Sequence, residues 1–340
     1  MSAPARPRTL SAGAGFLVGM GLLAFAGCGG TRASSASTAA SAGGGTHASP
    51  HGAVHRQPVA LRVSAVTRLP AAVQLPAVAP AGAGALAIGG LDAADSSVAA
   101  IVRIEGSGAR EVGRLPLALH DAAAATIAGQ VYFFGGGNAS TASSAIQRVQ
   151  GGGTSVVGHL PAPASDVAAT TIGDTAYVVG GYTETVPLRT IVAFTPGGAT
   201  RVAGTLPLPL RYAAIAAIGG RLLIAGGTSG TIAQRAIYSF DPATGVVRRL
   251  GTLPSATTHA AGASLDGRFY VLGGRGENLA EQHRSILAID PTSGAVLPAG
   301  RLPRALSDVG VASLPGRILL VGGRDSTGTV HDQALTLVPG

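Results

Sequence analysis

Apolar residues in this chain come in short stretches that end at glycine rather than in long runs. From about residue 59 onward one such stretch closes on a Gly-Gly doublet six times: Leu86-Ala87-Ile88-Gly89-Gly90, Tyr132-Phe133-Phe134-Gly135-Gly136, Tyr177-Val178-Val179-Gly180-Gly181, Leu223-Ile224-Ala225-Gly226-Gly227, Tyr270-Val271-Leu272-Gly273-Gly274 and Leu319-Leu320-Val321-Gly322-Gly323. The doublets stand 46, 45, 46, 47 and 49 residues apart. A Leu-Pro pair keeps step with them at Leu69, Leu115, Leu160, Leu206, Leu253 and Leu302, and each time the first glycine lies 20 residues beyond the leucine. All the variation in length falls between a doublet and the next Leu-Pro, as expected of one structural unit with a rigid half and a loop-bearing half.

Within a unit the pattern predicts four short strands. Strand a is built of small residues, as in Ala122 to Thr126 and Ala213 to Ile218, and reverses at a glycine turn such as Gly219-Gly220 or Asp266-Gly267. Strand b runs into the doublet. Strand c is apolar or alternating, as in Ile191 to Phe194 and Ile286 to Ile289, and ends in turns such as Asp241-Pro242-Ala243-Thr244-Gly245. Strand d is the short piece before the next Leu-Pro, for example Val246 to Leu250. Six four-stranded units predict an all-β, six-bladed β-propeller, and the small residues of strand a suit six inner strands converging on one axis. The chain stops at the end of a strand c, Leu335 to Gly340, while Leu61 to Thr67 precede the first Leu-Pro as a strand d would. The N-terminal strand is therefore expected to complete the last blade and cover its edge.

These residues resemble the Kelch family, whose blades carry an aromatic or aliphatic residue, two apolar residues and Gly-Gly on strand b. The resemblance spans about Val59 to Gly340. Kelch blades commonly also carry a tryptophan on strand d, and this chain has none. The resemblance implies the fold and leaves activity open. Two kinds of Kelch-like propeller are enzymes: copper oxidases of the galactose oxidase type and periplasmic sialic acid epimerases. The first needs a cysteine cross-linked to a tyrosine, and the single cysteine here is Cys28. The second implies carboxylates and arginines facing a channel, but no residue of this chain can be matched to that active site.

Ahead of the repeats, Arg6 and Arg8 precede an apolar run from Leu10 to Ala26, the pattern of a secretory signal. Phe25-Ala26-Gly27-Cys28 resembles a bacterial lipobox with an aromatic in place of the usual aliphatic, which makes Cys28 the expected lipidation site; the alternative is an uncleaved anchor. Both place the remainder outside the cytoplasmic membrane, anchored or else secreted. Residues 1–28 read as the signal, 29–58 as a flexible Ser/Ala/Gly-rich tether reaching about 30 Å, and 59–340 as the propeller. His47, His51 and His55 recur every fourth residue in the tether, but Pro50 and Gly52 argue against the helix that would align them for a metal.

Composition narrows the function classes. With 46% apolar residues the chain is not disordered, its glycines lack a three-residue period, and one cysteine cannot build a disulfide scaffold. All 24 basic residues are arginine. The formal +8 falls to 8 − 2 = +6 without Arg6 and Arg8, and no basic run marks a nucleic-acid site. There is no Gly-x-Ser-x-Gly, His-Glu-x-x-His or P-loop, and Gly82-Ala83-Gly84-Ala85-Leu86-Ala87 leads into a strand rather than a helix.

The chemistry that remains sits on one face. Strand alternation puts the d-to-a and b-to-c loops together, and six residues beyond each Leu-Pro leucine stand Leu75, Asp121, Asp166, Tyr212, His259 and Asp308, preceded by Gln74, His120, Ser165, Arg211, Thr258 and Ser307. Just past the doublets come Asp92, Asn138, Tyr182, Glu184, Arg275, Glu277, Arg324 and Asp325. The inner strands below should be nearly bare of polar groups. Arg211, Arg275 and Arg324 could offer planar donors to carboxylates, and Asp121, Asp166 and Asp308 could accept from hydroxyls or cations. Asp is equally at home in turns, where it caps backbone donors. The expectation is an extracytoplasmic, membrane-anchored, monomeric binding or scaffolding protein for a protein or glycan at the cell envelope, without cofactor, metal or nucleic acid. The alternative is an extracytoplasmic carbohydrate-active enzyme of the sialic acid epimerase kind, using the channel mouth.

Overall fold

Small side chains on every fourth strand let six strands approach one axis. The computed structural model describes residues 60–340; the signal, Cys28 and the tether lie outside the described residues. The inner strands are Ala77–Ala81, Ala123–Ile127, Ala168–Ile172, Ala214–Ile218, Ala261–Leu265 and Gly310–Leu314, and each packs on the next around a closed circle. Every inner strand begins a four-stranded antiparallel blade, as in blade 1, where Ala77–Ala81 is followed outward by Gly84–Ile88, Ala100–Glu105 and Gly108–Arg114. Blade 4 adds a hairpin of Thr228–Ser229 with Ile232–Ala233 on the loop face.

Closure follows the sequence expectation. Leu61–Arg68 pairs antiparallel with Gln333–Pro339, from Leu61 opposite Pro339 to Arg68 opposite Gln333, so the outer strand of blade 6 comes from the other end of the chain.

The core lies between blades. Phe134 and Ile146 of blade 2 bury against Val178 and Phe194 of blade 3. Phe194 takes Tyr132 and Phe134 edge-on at 5.3 and 5.7 Å, and Tyr177 meets Phe240 the same way at 5.7 Å.

The doublets are the clasps between these wedges. The second glycine donates its N–H to a carbonyl of the next blade's entry loop, as from Gly227 to Thr257 O (2.9 Å) or Gly136 to Ala164 O (2.8 Å). That carbonyl sits only 2.1 Å from where a Cβ on Gly226 would be, and the doublets have positive φ. The outer strands carry a second close approach that went unread in the sequence. Two residues before Leu-Pro, five blades have glycine (Gly113, Gly158, Gly204, Gly251 and Gly300). A Cβ on Gly113 would lie 1.7 Å from Gly152 O of the next blade, and one on Gly300 2.5 Å from Leu61 O.

Blades 3, 4 and 5 also share an arginine clamp. Arg189, Arg235 and Arg284 each hold the two carbonyls of the Leu-Pro pair; Arg235 donates from Nε to Leu253 O at 2.9 Å and from Nη2 to Pro254 O at 2.8 Å. Arg235→Ala should cost about 1–2 kcal/mol in chemical denaturation. An unchanged midpoint would show that water replaces the clamp at no cost.

Candidate functional site

The six positions that follow Leu-Pro by six residues share one backbone conformation. Leu75, Asp121, Asp166, Tyr212, His259 and Asp308 all lie in the left-handed region, with φ from 53 to 60°. Asp and His tolerate that region, whereas Leu and Tyr pay for it. Neighbouring blades hold the conformation: Leu75 N donates to Asp308 O (2.7 Å), Asp308 N to His259 O (3.1 Å), His259 N to Tyr212 O (3.3 Å) and Tyr212 N to Asp166 O (3.2 Å). On the outer side, the preceding residue of each blade pairs with the residue after the doublet, as Ser165 does with Tyr182 and Thr258 with Arg275. The carboxylates of Asp121, Asp166 and Asp308 accept from side chains rather than capping backbone donors of their own turns, so the turn uses their backbone while their side chains face the channel.

The channel mouth opens into a cavity of about 370 Å³. Asp121, Asp166, Tyr212, His259 and Asp308 line it, together with the inner strands. Those strands are less bare than expected, because Thr126, Thr170, Thr171, Ser264 and Ser313 also face it.

None of the three arginines singled out from sequence lines the cavity. Arg211 is paired through Nε with Asp166, and its guanidinium lies 4.3 Å from the Tyr182 ring centroid. Arg275 donates from Nη2 to His259 Nε2 (3.1 Å) and from Nη1 to Glu277 O (3.1 Å). Arg324 pairs with Asp95 at 3.2 Å and donates from Nε to Gly328 O. They form an outer layer that holds the mouth residues. Asp92, Asn138 and Asp325 cap their own loops by accepting backbone N–H groups two to four residues on. Glu277 is tied in through its own N–H, donated to Glu281 Oε2, and Glu184 is an exposed loop residue.

Two contributors were missed. Asp95 accepts from buried Gln74 (2.7 Å) as well as from Arg324, and Gln282 donates to Ser307 Oγ (3.0 Å). Neither stands at a repeated offset, so the repeat gave no signal for them.

The mouth residues are electrostatically uneven. Asp121 has a side chain 8% exposed; its Oδ2 faces the Tyr212 hydroxyl at 3.4 Å and His120 Nε2 at 3.6 Å, while its Oδ1 is buried without a hydrogen-bond partner. Burial, then the charges of Asp166 and Asp308, push its carboxyl well above the usual range against the pull of Arg211. Burial also raises Asp308, opposed by the Ser307 hydroxyl, Arg275 and Arg324. His259 stacks on Tyr212 with centroids 3.8 Å apart. Burial, then Arg275 and Arg211, hold it well below the usual imidazole range, so it is neutral, with Nε2 accepting from Arg275 and Nδ1 facing Thr258 Oγ1 at 3.0 Å.

A raised carboxyl contributes stability that is present below its unfolded pKa and lost as pH rises through the folded value. Asp121→Asn should therefore gain on the wild type as pH rises from about 5 to about 8 in denaturant titrations. A stability difference independent of pH would show that Asp121 does not titrate in the folded ring.

The inner-strand ring, the Gly-Gly clasps and the closing N-terminal strand define a class: the chain is a six-bladed β-propeller. The family model described as Kelch motif matches residues 209–254, the span that runs through blade 4. The solved structure of YjhT is similar in fold, with a TM-score of 0.68 at 16% identity, covering 79% of this chain and 95% of that one. No curated protein sequence matches the chain.

Proposed function

We propose that this chain is a binding module displayed outside the cytoplasmic membrane, tethered by a lipid on Cys28, and that it takes a glycan of the cell envelope into the channel mouth. The observation that carries this reading is the cavity of about 370 Å³, ringed at its mouth by five polar side chains from five blades. Ligand sites are concave, with a few polar groups fixed by a rigid frame, and the interlocked left-handed residues supply that frame. Retention of the full chain on immobilised envelope polysaccharide tests it. Replacing Tyr212 and Asp166 by Phe and Asn should weaken retention about tenfold, while Arg201→Gln on the outer strand of blade 3 keeps it. Equal retention of all three proteins would move the binding surface away from the mouth.

One observation favours a second reading. The Asp121 carboxyl, raised by burial, lies beside the Tyr212 hydroxyl at the cavity, an arrangement able to donate a proton to a bound sugar. As a carbohydrate-active enzyme the protein would turn over a sugar, and Asp121→Asn would abolish turnover while leaving sugar binding measurable.

A further inference from the structure

The balance of charge at the mouth indicates what kind of sugar it takes. Three carboxyls line the cavity, those of Asp121, Asp166 and Asp308, and no guanidinium does. Asp166 already has Arg211 behind it, and Asp308 accepts from Ser307 Oγ at 2.5 Å. Asp121 Oδ1 receives no N–H or O–H donor, and the Asp121 carboxyl stands within hydrogen-bonding reach of the Asp166 carboxyl. A buried carboxyl oxygen without a donor is costly, and a ligand that brings one removes the cost. Among the described residues no three His, Cys, Asp or Glu side chains are placed to hold a metal ion. An N–H or O–H group of an organic ligand can supply that donor, and the three carboxyls on the wall favour a positive one.

Building on the binding role proposed above, we infer that the mouth selects an amino sugar or similar aminated polyol, its ammonium donating to Asp121 Oδ1. The groups facing Asp121 are Asp166 of blade 3, Asp308 of blade 6, Tyr212 and Arg211 of blade 4, and His120 of its own blade. Of these, Arg211 is the one permanent cation, and it is engaged by Asp166. In the empty mouth, burial and two neighbouring carboxyls oppose charge on Asp121 and hold its carboxyl well above the usual range. Docking an ammonium reverses that balance. Asp121 gives up its proton to solvent, and a carboxylate–ammonium pair forms, so binding releases one proton and strengthens as pH rises toward neutrality.

Isothermal titration of the full chain with glucosamine, glucose and glucuronate tests the assignment. Glucosamine should bind at least about tenfold more tightly than glucose at neutral pH, with glucuronate the weakest. Its heat should vary with the ionisation enthalpy of the buffer, and its affinity should rise between about pH 5 and about pH 7. Asp121→Asn, which suits the left-handed backbone, should bring glucosamine down to the level of glucose, and Glu105→Gln on the far turn should change nothing. The buffer dependence is read on wild-type protein, so it stands even if the variant folds poorly. If glucuronate binds most tightly and loses that binding in the Tyr212 and Asp166 variant, the ammonium assignment fails while the binding mouth survives. If none of the three binds up to about 10 mM, both fail.

Discussion

Deleting residues 61–67 should leave a chain with no cooperative melting transition. The strand Leu61–Arg68 supplies the outer edge of blade 6 and buries Leu61 and Thr67 to 4% and 2% exposure. Leu61 joins Ile286 and Leu302 of blade 5 and Leu335 and Leu337 of blade 6 in one cluster, so the strand also seals the last interface of the ring. Its removal exposes the backbone edge of Gln333–Pro339 and costs about 1.5–3 kcal/mol for the loss of Leu61 alone. Adding the loss of Thr67, Val63 and the paired backbone reaches the whole stability of an ordinary domain, about 5–15 kcal/mol. Circular dichroism melts of the full and deleted chains decide it, and a normal transition in the deleted chain would show that five and three-quarter blades suffice.

Gly226→Ala should be the most damaging single substitution on the loop face of blade 4. The new Cβ would stand 2.1 Å from Thr257 O, a backbone atom fixed by its 2.9 Å bond from Gly227 N. Relief requires blades 4 and 5 to part, which loses that bond, and alanine at a φ of 64° adds about 1–2 kcal/mol of backbone strain. The sum is about 4 kcal/mol or more, seen as a fall in Tm of roughly 10 °C. Gly219→Ala is the matched control: it too has positive φ, but open space surrounds its Cβ position. Equal losses from both would place the cost in φ alone and remove the clasp from the account.

The fold was legible because its rules act locally and repeat. A glycine that must meet a neighbouring carbonyl leaves the same mark in every blade, and a ring that borrows its last strand must show one spare strand at the start. The glycines on the outer strands were just as regular. They went unread because their reason, a backbone of the next blade at 1.7 Å from Gly113, belongs to the contact and not to the strand. At the mouth, repeat position was enough to gather Asp121, Asp166, Tyr212, His259 and Asp308 at one cavity. It could not say that Arg211 turns to Asp166, Arg275 to His259 and Arg324 to Asp95, because the repeat fixes backbone positions while the side-chain partner differs from blade to blade, here on a neighbouring blade, there on the same one. That pairing changes the chemistry, turning three apparent anion receptors into supports for a carboxyl-lined wall.

The central claim is that ligands enter the channel mouth of this ring. Thermal denaturation of the full chain against a library of neutral, amino and acidic sugars and short peptides tests it most directly when wild type and the Tyr212→Phe, Asp121→Asn double variant are run side by side. A ligand at a hundred times its Kd adds about 2.7 kcal/mol and shifts Tm by several degrees. The account predicts that compounds raising the wild-type Tm leave the variant unmoved, with amino sugars foremost among them. The same rise in both proteins would contradict it.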